Sequence, residues 1–248
     1  MPFLFVVGDK IECDLVIFDL DGTLIDEIPR FRCLAQSRVS ALRGLVDESA
    51  IESWARASGV NLETWDVDED GPLVRAPRHD DLIVAATSLY VSGYTWVEAN
   101  ELAQRAYTEA DELHAQEYSP VLFDGVGEAL KSLREAGLRL ALATNDRRAA
   151  AERVLRDTGV LGLFDSVVGA DDVENPKPSP DMILSVCETC GCPPSRAVYV
   201  GDQPTDMKAG SAAGVKAVIA VSPSTGASPE LLALADFIVE SVRIFRTT

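Results

Sequence analysis

Residues 15–23 read LVIFDLDGT, and this stretch decides the fold. Its four leading apolar residues, from Leu15 to Phe18, are typical of a strand buried on both faces, as in a parallel sheet. The strand runs directly into two carboxylates, Asp19 and Asp21, and the glycine that follows predicts a turn. In an open parallel sheet, ligands bind beyond the carboxyl ends of the strands. Both carboxylates are therefore predicted to lie where chemistry takes place.

Short apolar runs alternate with amphipathic stretches from about residue 124 onward. Further strands are predicted at 138–143, 166–169, 197–200, 217–221 and 237–239. Helices are predicted between them at 146–157, 179–190 and 205–213. Such alternation is typical of a parallel sheet with right-handed crossovers. The predicted fold class is therefore α/β, with a Rossmann-like parallel sheet as the core.

Residues 26–118 lack this alternation, and their apolar residues recur at helical spacing. Helices are predicted at about 31–45, 47–57, 81–92 and from Thr95 onward, where Thr95 and Glu98 form a capping box. The apolar face predicted for the last helix consists of Trp96, Ala99, Ala103, Ala106, Ala110 and Leu113. The chain is thus predicted to have an α/β domain of residues 1–25 and 119–248, split after its first strand by an all-helical domain of residues 26–118.

Chemically useful side chains also follow two later strands. Strand 138–143 ends in Thr144 and Asn145, while strand 197–200 is followed by a glycine, Asp202 and, four residues on, Asp206. Lys177, one of only five lysines, lies between two prolines just before a helix, which restricts the direction of its ammonium group. Each residue alone also fits an ordinary structural role, such as a helix start or a surface lysine. Together, in this order, they predict one site at the carboxyl edge of the sheet.

This ordered set of motifs strongly resembles that of the haloacid dehalogenase superfamily of phosphohydrolases. The matching residues are DLDGT at 19–23, TN at 144–145, Lys177 and GDQPTD at 201–206. The resemblance covers nearly the whole chain. The helical insert is similar to the cap, of the C1 type, that many members carry after the first motif. Residues 124–145 resemble the phosphoglycolate phosphatase-like branch, although the motifs do not select a substrate.

The resemblance implies roles for five of these residues. Asp19 would be the nucleophile that forms an aspartyl-phosphate. Asp21 would protonate the leaving alkoxide and then activate water for hydrolysis. Thr144, the backbone amide of Asn145 and Lys177 would hold the phosphoryl oxygens.

The resemblance also implies a Mg²⁺ cofactor. A phosphate monoester dianion repels an attacking carboxylate, and a divalent cation between the two removes that barrier. Mg²⁺ prefers oxygen ligands, few carboxylates and several waters. Asp19 and Asp202 would supply side-chain oxygens and Asp21 a backbone carbonyl. Asp206 would bind beside them or hold a water on the metal.

The implied activity is that of a phosphatase acting on a small phosphorylated metabolite, such as phosphoglycolate or a sugar phosphate. The insert would close over the substrate and exclude water. A phosphomutase that uses the same aspartyl-phosphate and a non-catalytic regulatory member are the alternatives. Carbon–halogen cleavage is disfavoured, because dehalogenases of this superfamily lack the second acid of the first motif, which is present here as Asp21.

Two arginines of the insert, Arg30 and Arg32, lie nearest to the first motif in sequence. An arginine can grip a carboxylate or phosphate with two hydrogen bonds. Either residue is therefore a candidate for selecting an anionic substrate. The alternative is that these arginines lie on solvated helix faces and pair with neighbouring acids.

Composition limits the partners of the chain. Its 248 residues carry a net charge of −18, from 22 basic and 40 acidic residues, which argues against nucleic acid or an anionic membrane as partner. No apolar run reaches the ~18 residues of a transmembrane helix. Residues 1–12 lack the marks of a secretory signal and are predicted to add an edge strand. Five cysteines, an odd number, predict a reduced, cytoplasmic protein. No motif sets the oligomeric state.

Overall fold

The computed structural model describes residues 2–76, 78–222 and 227–247. The chain divides into two compact units, one of Met1–Asp26 with Pro120–Thr248 and the other of Glu27–Ser119. The strands are β1 (Phe3–Val6), β2 (Asp9–Glu12), β3 (Leu15–Phe18), β4 (Arg139–Ala143), β5 (Ser166–Val168), β6 (Ala197–Gly201), β7 (Ala217–Val221) and β8 (Phe237–Val239). The helices are α1 (Ile28–Arg43), α2 (Glu48–Ser58), α3 (Pro72–Arg75), α4 (Arg78–Val91), α5 (Trp96–Glu117), α6 (Val126–Glu135), α7 (Arg148–Asp157), α8 (Asp181–Thr189), α9 (Pro204–Ala213) and α10 (Pro229–Leu234).

The first unit contains a six-stranded sheet in the order β5-β4-β3-β6-β7-β8, with every neighbouring pair parallel. The predicted α/β class is confirmed. Each predicted strand agrees with the observed one to within a residue at either end. In the centre, β3 pairs with β4 on one side and β6 on the other. The ends of these three strands therefore lie side by side.

Strand β3 is buried on both faces, as its apolar run predicts. Val16 and Phe18 belong to one hydrophobic cluster and Leu15 and Ile17 to another, and all four side chains are fully buried. On the first face, the Phe18 ring packs against Phe245, with ring centroids 6.5 Å apart. Packing from both sides fixes the strand, and hence the position of the residue that follows it.

The extra strand predicted within residues 1–12 is present, but its predicted place at the edge of the main sheet is wrong. Strands β1 and β2 instead form an antiparallel hairpin in a sheet of their own. Val7 and Gly8 both adopt positive φ angles, 50° and 91°, and turn the chain back on itself. The hairpin buries Leu4, Val6 and Ile11 in the core of the first unit. The alternating apolar residues are therefore used to cover that core.

The second unit contains helices α1–α5, with one isolated β-bridge between Val60 and Val67. Its core includes a buried polar network that the sequence analysis did not predict. Trp54 donates to the Tyr107 hydroxyl at 3.1 Å, and that hydroxyl donates to Asp81 Oδ1 at 3.1 Å. Arg38 forms a buried ion pair with Asp81. Trp54, Tyr107 and Asp81 thus satisfy one another inside this helical core, as burial favours.

The long helix α5 begins with the predicted capping box of Thr95 and Glu98. Ala99, Ala103, Ala106 and Ala110 are fully buried, as predicted. Trp96 is not, since it is 49% exposed at the first helical position, where its ring meets the exposed ring of Tyr90. Leu113 is half-buried. The apolar face therefore packs from the second turn onward.

Within the described ranges, no helix combines the length and the apolar character that crossing a membrane requires.

Candidate active site

Three of the predicted site residues follow adjacent strands. Asp19 comes directly after β3, Thr144 after β4 and Asp202 after β6. The backbone amide of Asp19 donates to the carbonyl of Val200 at 2.8 Å, and that of Thr144 to the carbonyl of Val168 at 3.1 Å. These bonds continue the sheet ladder for one residue beyond the strands. Asp19 and Thr144 are therefore fixed by backbone bonds where the sheet ends.

Lys177 enters the site as a buried cation. Its Nζ atom lies 2.7 Å from Asp19 Oδ1 and 2.7 Å from Asp206 Oδ1. The Lys177 side chain is 3% exposed, that of Asp19 10% and that of Asp206 1%. A buried charge is tolerated only when it is paired and hydrogen-bonded. Lys177 therefore compensates two carboxylates at once.

The backbone of Lys177 is held by the side chain of Asn145. The Lys177 amide donates to Asn145 Oδ1 at 3.0 Å, and Asn145 Nδ2 donates to the Lys177 carbonyl at 3.2 Å. Only the backbone amide of Asn145 was predicted to contribute to the site, so this role of its side chain is new. Next to it, the buried Thr144 hydroxyl accepts from the Asp146 amide at 3.1 Å and still carries its own proton. Of the two residues after β4, Asn145 thus holds the Lys177 backbone, while Thr144 keeps a hydroxyl proton to donate.

Asp19, Asp202 and Asp206 together form a carboxylate group that could hold a metal ion. Each offers one oxygen, and these oxygens lie within 4.8 Å of one another. Asp202 also accepts from the Thr23 hydroxyl at 3.3 Å and from Gln203 Nε2 at 2.7 Å. The side chain of Asp21 is not part of this group. Only the backbone carbonyl of Asp21 was predicted to contact the metal. An all-oxygen donor set suits a hard divalent cation.

Burial makes the carboxylates of Asp19 and Asp202 hard to ionise. It raises the pKa of Asp19 to about 7; Lys177 opposes this rise and Asp206 adds to it. Burial likewise raises the pKa of Asp202 to about 7, with repulsion from Asp19 and Asp206 contributing. Burial alone would lower the pKa of Lys177, but its two ion pairs outweigh burial and raise it. When ionised, the three carboxylates carry three negative charges against the one positive charge of Lys177, an excess that a divalent cation would offset.

Gly22 allows Asp202 to approach the first motif. Its φ angle is +71°, which favours glycine, and a Cβ atom at this position would lie 2.4 Å from Asp202 Oδ2. The predicted Asp-Gly turn therefore also brings the loop after β3 into close contact with the loop after β6.

The two candidate arginines belong to the helical unit. Arg32 Nη2 lies 2.5 Å from Asp66 Oδ1, with both side chains largely exposed. The Arg30 guanidinium lies over the Phe31 ring, 5.7 Å from its centroid. The pairing of Arg32 matches the alternative considered above, in which these arginines bind neighbouring acids.

Sequence reasoning missed Tyr199, which it treated only as part of a strand. The Tyr199 hydroxyl lies 3.1 Å from Lys177 Nζ and 3.2 Å from Asp206 Oδ1, and the residue is fully buried. The available signal was a hydroxyl within the otherwise apolar strand AVYV. A buried hydroxyl needs a polar partner, and here the partners are the site residues.

A family model described as haloacid dehalogenase-like hydrolase matches residues 13–214. The chain belongs to this family. A phosphoglycolate phosphatase of Escherichia coli O157:H7 is 32% identical over 211 residues, which are 82% of this chain and 79% of that protein. The family and its curated relatives identify the chain as an enzyme, a phosphoric monoester hydrolase.

Solved structures of other proteins share the fold of this chain. A candidate beta-phosphoglucomutase of Thermotoga maritima is 25% identical, with a TM-score of 0.67 over 93% of this chain and 95% of that one. A variant of CbbY from Rhodobacter sphaeroides, in complex with xylulose-(1,5)bisphosphate, is 19% identical, with a TM-score of 0.56 over 94% and 96% of the two chains.

Proposed function

We propose that the enzyme hydrolyses a small phosphorylated metabolite through an aspartyl-phosphate on Asp19, with Mg²⁺ as cofactor. The observation that carries the proposal is the position of Asp19. It lies buried at the end of the central strand, 2.7 Å from the Lys177 ammonium and among the carboxylates of Asp202 and Asp206. Phosphoglycolate is the first substrate to test, because curated relatives are phosphoglycolate phosphatases.

Asp19 and Asp202 would hold the ion, with the Asp21 backbone carbonyl and Asp206 beside them. When bound, Mg²⁺ would offset the repulsion between a carboxylate and a phosphate dianion. The oxygen donors of Asp19, Asp202 and Asp206 and the excess of negative charge that these carboxylates carry support this assignment. Asp206 already accepts from the Gln203 amide through Oδ2 at 2.9 Å and from Lys177 through Oδ1. Because both carboxylate oxygens of Asp206 already accept hydrogen bonds, we place Asp206 next to the residues that bind the ion and not among its direct ligands.

In the proposed reaction an Asp19 carboxylate oxygen attacks phosphorus, the ester P–O bond breaks, and Asp21 protonates the leaving alkoxide. Asp21 then takes a proton from water, whose oxygen attacks phosphorus; the bond between phosphorus and the Asp19 oxygen breaks, which releases phosphate and restores the Asp19 carboxylate. Lys177 holds Oδ1 of Asp19 and so fixes the direction of the carboxylate. Thr144, the Asn145 amide and Lys177 would hold the phosphoryl oxygens. Arg30 and Arg32 stay candidates for selecting an anionic substrate, with pairing to neighbouring acids, as Arg32 shows with Asp66, as the alternative.

The decisive assay is phosphate release from a panel of small phosphomonoesters, including phosphoglycolate and sugar phosphates, with Mg²⁺ and with EDTA. We expect turnover that depends on Mg²⁺. Isomerisation of a sugar phosphate without net phosphate release would instead identify a phosphomutase. Inertness towards the whole panel, with Mg²⁺ still bound, would favour a regulatory protein.

We also propose the cytoplasm as the location of the enzyme. All five cysteines are free thiols, which is consistent with a reducing compartment.

Gly22→Ala is expected to lower kcat by about 10- to 100-fold, because the new Cβ displaces the Asp202 carboxylate by its clash with Oδ2. Steady-state kinetics across Mg²⁺ concentrations measure the loss and the accompanying rise in the Mg²⁺ requirement. Gly137→Ala is the matched control, since Gly137 has a φ of +88° and a Cβ there meets nothing within 4 Å. If both variants lose activity equally, backbone strain rather than the Asp202 contact is responsible.

Stabilisation of the fold by Mg²⁺ is expected to grow with pH. The folded-state pKa of about 7 for Asp19 and Asp202 lies above the ordinary value of 3.8, so the folded state binds more protons than the unfolded chain between these values. In the metal-free protein these carboxyls therefore lower the free energy of unfolding as pH rises through that window. Protons also compete with the metal for the same oxygens.

Thermal unfolding with and without Mg²⁺ checks this expectation. The increase in Tm should be small at about pH 5 and larger at about pH 8. Asp202→Asn should reduce the increase at the higher pH. An equal increase at both pH values would mean that Mg²⁺ binds elsewhere.

A further inference from the structure

We propose that Tyr199 is a positioning residue that holds the Lys177 ammonium in place for catalysis. This inference rests on the proposed function, in which Lys177 fixes the direction of the Asp19 carboxylate and its positive charge stabilises the phosphoryl oxygens. Tyr199 lies outside the sequence motifs that carry the family resemblance. Three contacts of its hydroxyl carry the argument: Lys177 Nζ at 3.1 Å, Asp206 Oδ1 at 3.2 Å and the Ala143 carbonyl at 3.2 Å.

Tyr199 completes the set of acceptors around Lys177. An ammonium group has three N–H donors. Asp19 Oδ1 and Asp206 Oδ1 each accept at 2.7 Å, and the Tyr199 hydroxyl accepts at 3.1 Å. If the ammonium turned, at least one of these buried donors would lose its partner, which is unfavourable. The third acceptor therefore fixes the orientation of the ammonium between the two carboxylates.

The Tyr199 hydroxyl also ties Lys177 to the sheet. Its single proton can go to the Ala143 carbonyl or to Asp206 Oδ1. Ala143 is the last residue of β4 and immediately precedes Thr144. One phenol thus links Lys177 with the end of β4 and with the helix that carries Asp206.

The base of the Tyr199 side chain is rigid. Tyr199 lies in β6, where it pairs with Ile17 of β3 and Val218 of β7. Helix α9 packs closely over it, since a Cβ at Gly210 would lie 3.2 Å from Tyr199 Cβ. Burial, with the nearby carboxylates, raises the pKa of Tyr199 well above its ordinary value, so the phenol stays neutral. These features suit a fixed hydrogen-bonding group rather than a proton carrier.

A double-mutant cycle on hydrolysis of p-nitrophenyl phosphate in Mg²⁺ tests the proposal. Tyr199→Phe should lower kcat about 10-fold and change KM by less than about twofold. In a Lys177→Met background, assayed at high enzyme concentration, Tyr199→Phe should have little further effect, because the group it positions is already gone. An equal loss in both backgrounds would overturn the proposal, as would a change in KM alone. Lys177→Gln, which also removes the charge, replaces Lys177→Met in the cycle if the latter does not fold.

Tyr107→Phe is the matched control. Tyr107 is also fully buried, and its hydroxyl bonds Trp54 and Asp81 in the helical unit. It should lose stability while keeping kcat, whereas a general effect of removing a buried hydroxyl would lower kcat in both phenylalanine variants.

Urea unfolding of the wild type, the two single variants and the double variant separates the proposed role of Tyr199 from the proposed phosphatase function. If Tyr199 bonds Lys177, the two substitutions should be non-additive in the free energy of unfolding. An inert wild-type enzyme would overturn the proposed function and with it the catalytic role of Tyr199, even if the stability coupling were present. An active wild-type enzyme with additive rates would overturn the role of Tyr199 alone.

Discussion

Asp19→Asn is expected to lower kcat by about 10⁴-fold or more, the scale on which loss of a nucleophile acts in other hydrolases. The asparagine amide cannot form the acyl phosphate, and it also removes one charge from the carboxylate group. The substitution should not unfold the protein. Burial raises the pKa of Asp19 to about 7, so the neutral form is favoured in the metal-free fold. At pH above 7 the variant should therefore unfold at a Tm no lower than that of the wild type.

Phosphate release at saturating Mg²⁺, together with thermal unfolding, measures both effects. Asp14→Asn is the matched control, because Asp14 precedes the same strand and is bonded to Arg196 rather than to site residues. It should keep its kcat. Asp19→Asn turnover above about 1% of wild type would place the nucleophile elsewhere.

Asp21→Asn should behave differently from Asp19→Asn. It keeps the nucleophile and loses the proposed acid, so its first step should be slowed more for an alkyl phosphate than for p-nitrophenyl phosphate, whose leaving group needs no proton. Single-turnover kinetics on the two substrates resolve this step. Equal losses on both would contradict the role of Asp21 as the acid.

The sheet could be predicted closely because one physical signal dominates it. A strand covered on both faces must be apolar throughout, so LVIF, LRLALA, AVYV and AVIAV stand out from the helices between them. Parallel pairing then brings the ends of β3, β4 and β6 to one edge. This is why residues distant in sequence, such as Asp19 and Asp202, could be assigned to one site.

The N-terminal hairpin escaped prediction because its turn has an unusual chemistry. Two-residue hairpin turns usually carry asparagine or glycine where φ is positive. Here Val7 takes such a φ, 50°, which a β-branched residue rarely adopts. Burial of Leu4, Val6 and Ile11 in the core outweighs that local preference.

The contacts of Lys177 could not be predicted from sequence either. Flanking prolines indicate a stiff loop but not its direction. The path of the loop depends on the Asn145 side chain, which bonds both the amide and the carbonyl of Lys177. The partners of the Lys177 ammonium then depend on Tyr199. The Tyr199 hydroxyl reaches the site only because the sheet and α9 fix the backbone and Cβ of this residue. These are tertiary contacts, and no local pattern encodes them.

Lys177→Met is expected to lower kcat by about 10³-fold, because the phosphoryl group loses a fixed cation where negative charge develops. It should also destabilise the fold. Lys177 is 3% exposed and pairs with Asp19 and Asp206, and removing one partner of a buried ion pair costs about 3–5 kcal/mol. Lys177 lowers the pKa of Asp19, so without it that pKa rises further. The loss of stability should therefore be smaller at about pH 5, where the carboxyl is protonated in both proteins, and larger at about pH 8.

Urea unfolding of the metal-free protein at the two pH values measures this difference, and phosphate release measures the loss of kcat. Lys208→Met is the matched control, because Lys208 pairs with Glu230 at 2.7 Å on the surface, with side chains 47% and 58% exposed. An exposed pair contributes less than about 1 kcal/mol, so this variant should keep both stability and kcat. If Lys177→Met were as stable as Lys208→Met at the higher pH, the Lys177 ammonium would not be what permits Asp19 and Asp206 to lie buried side by side. The metal-free site would then hold its carboxyls in protonated form, and the charge for catalysis would have to come from the bound cation alone.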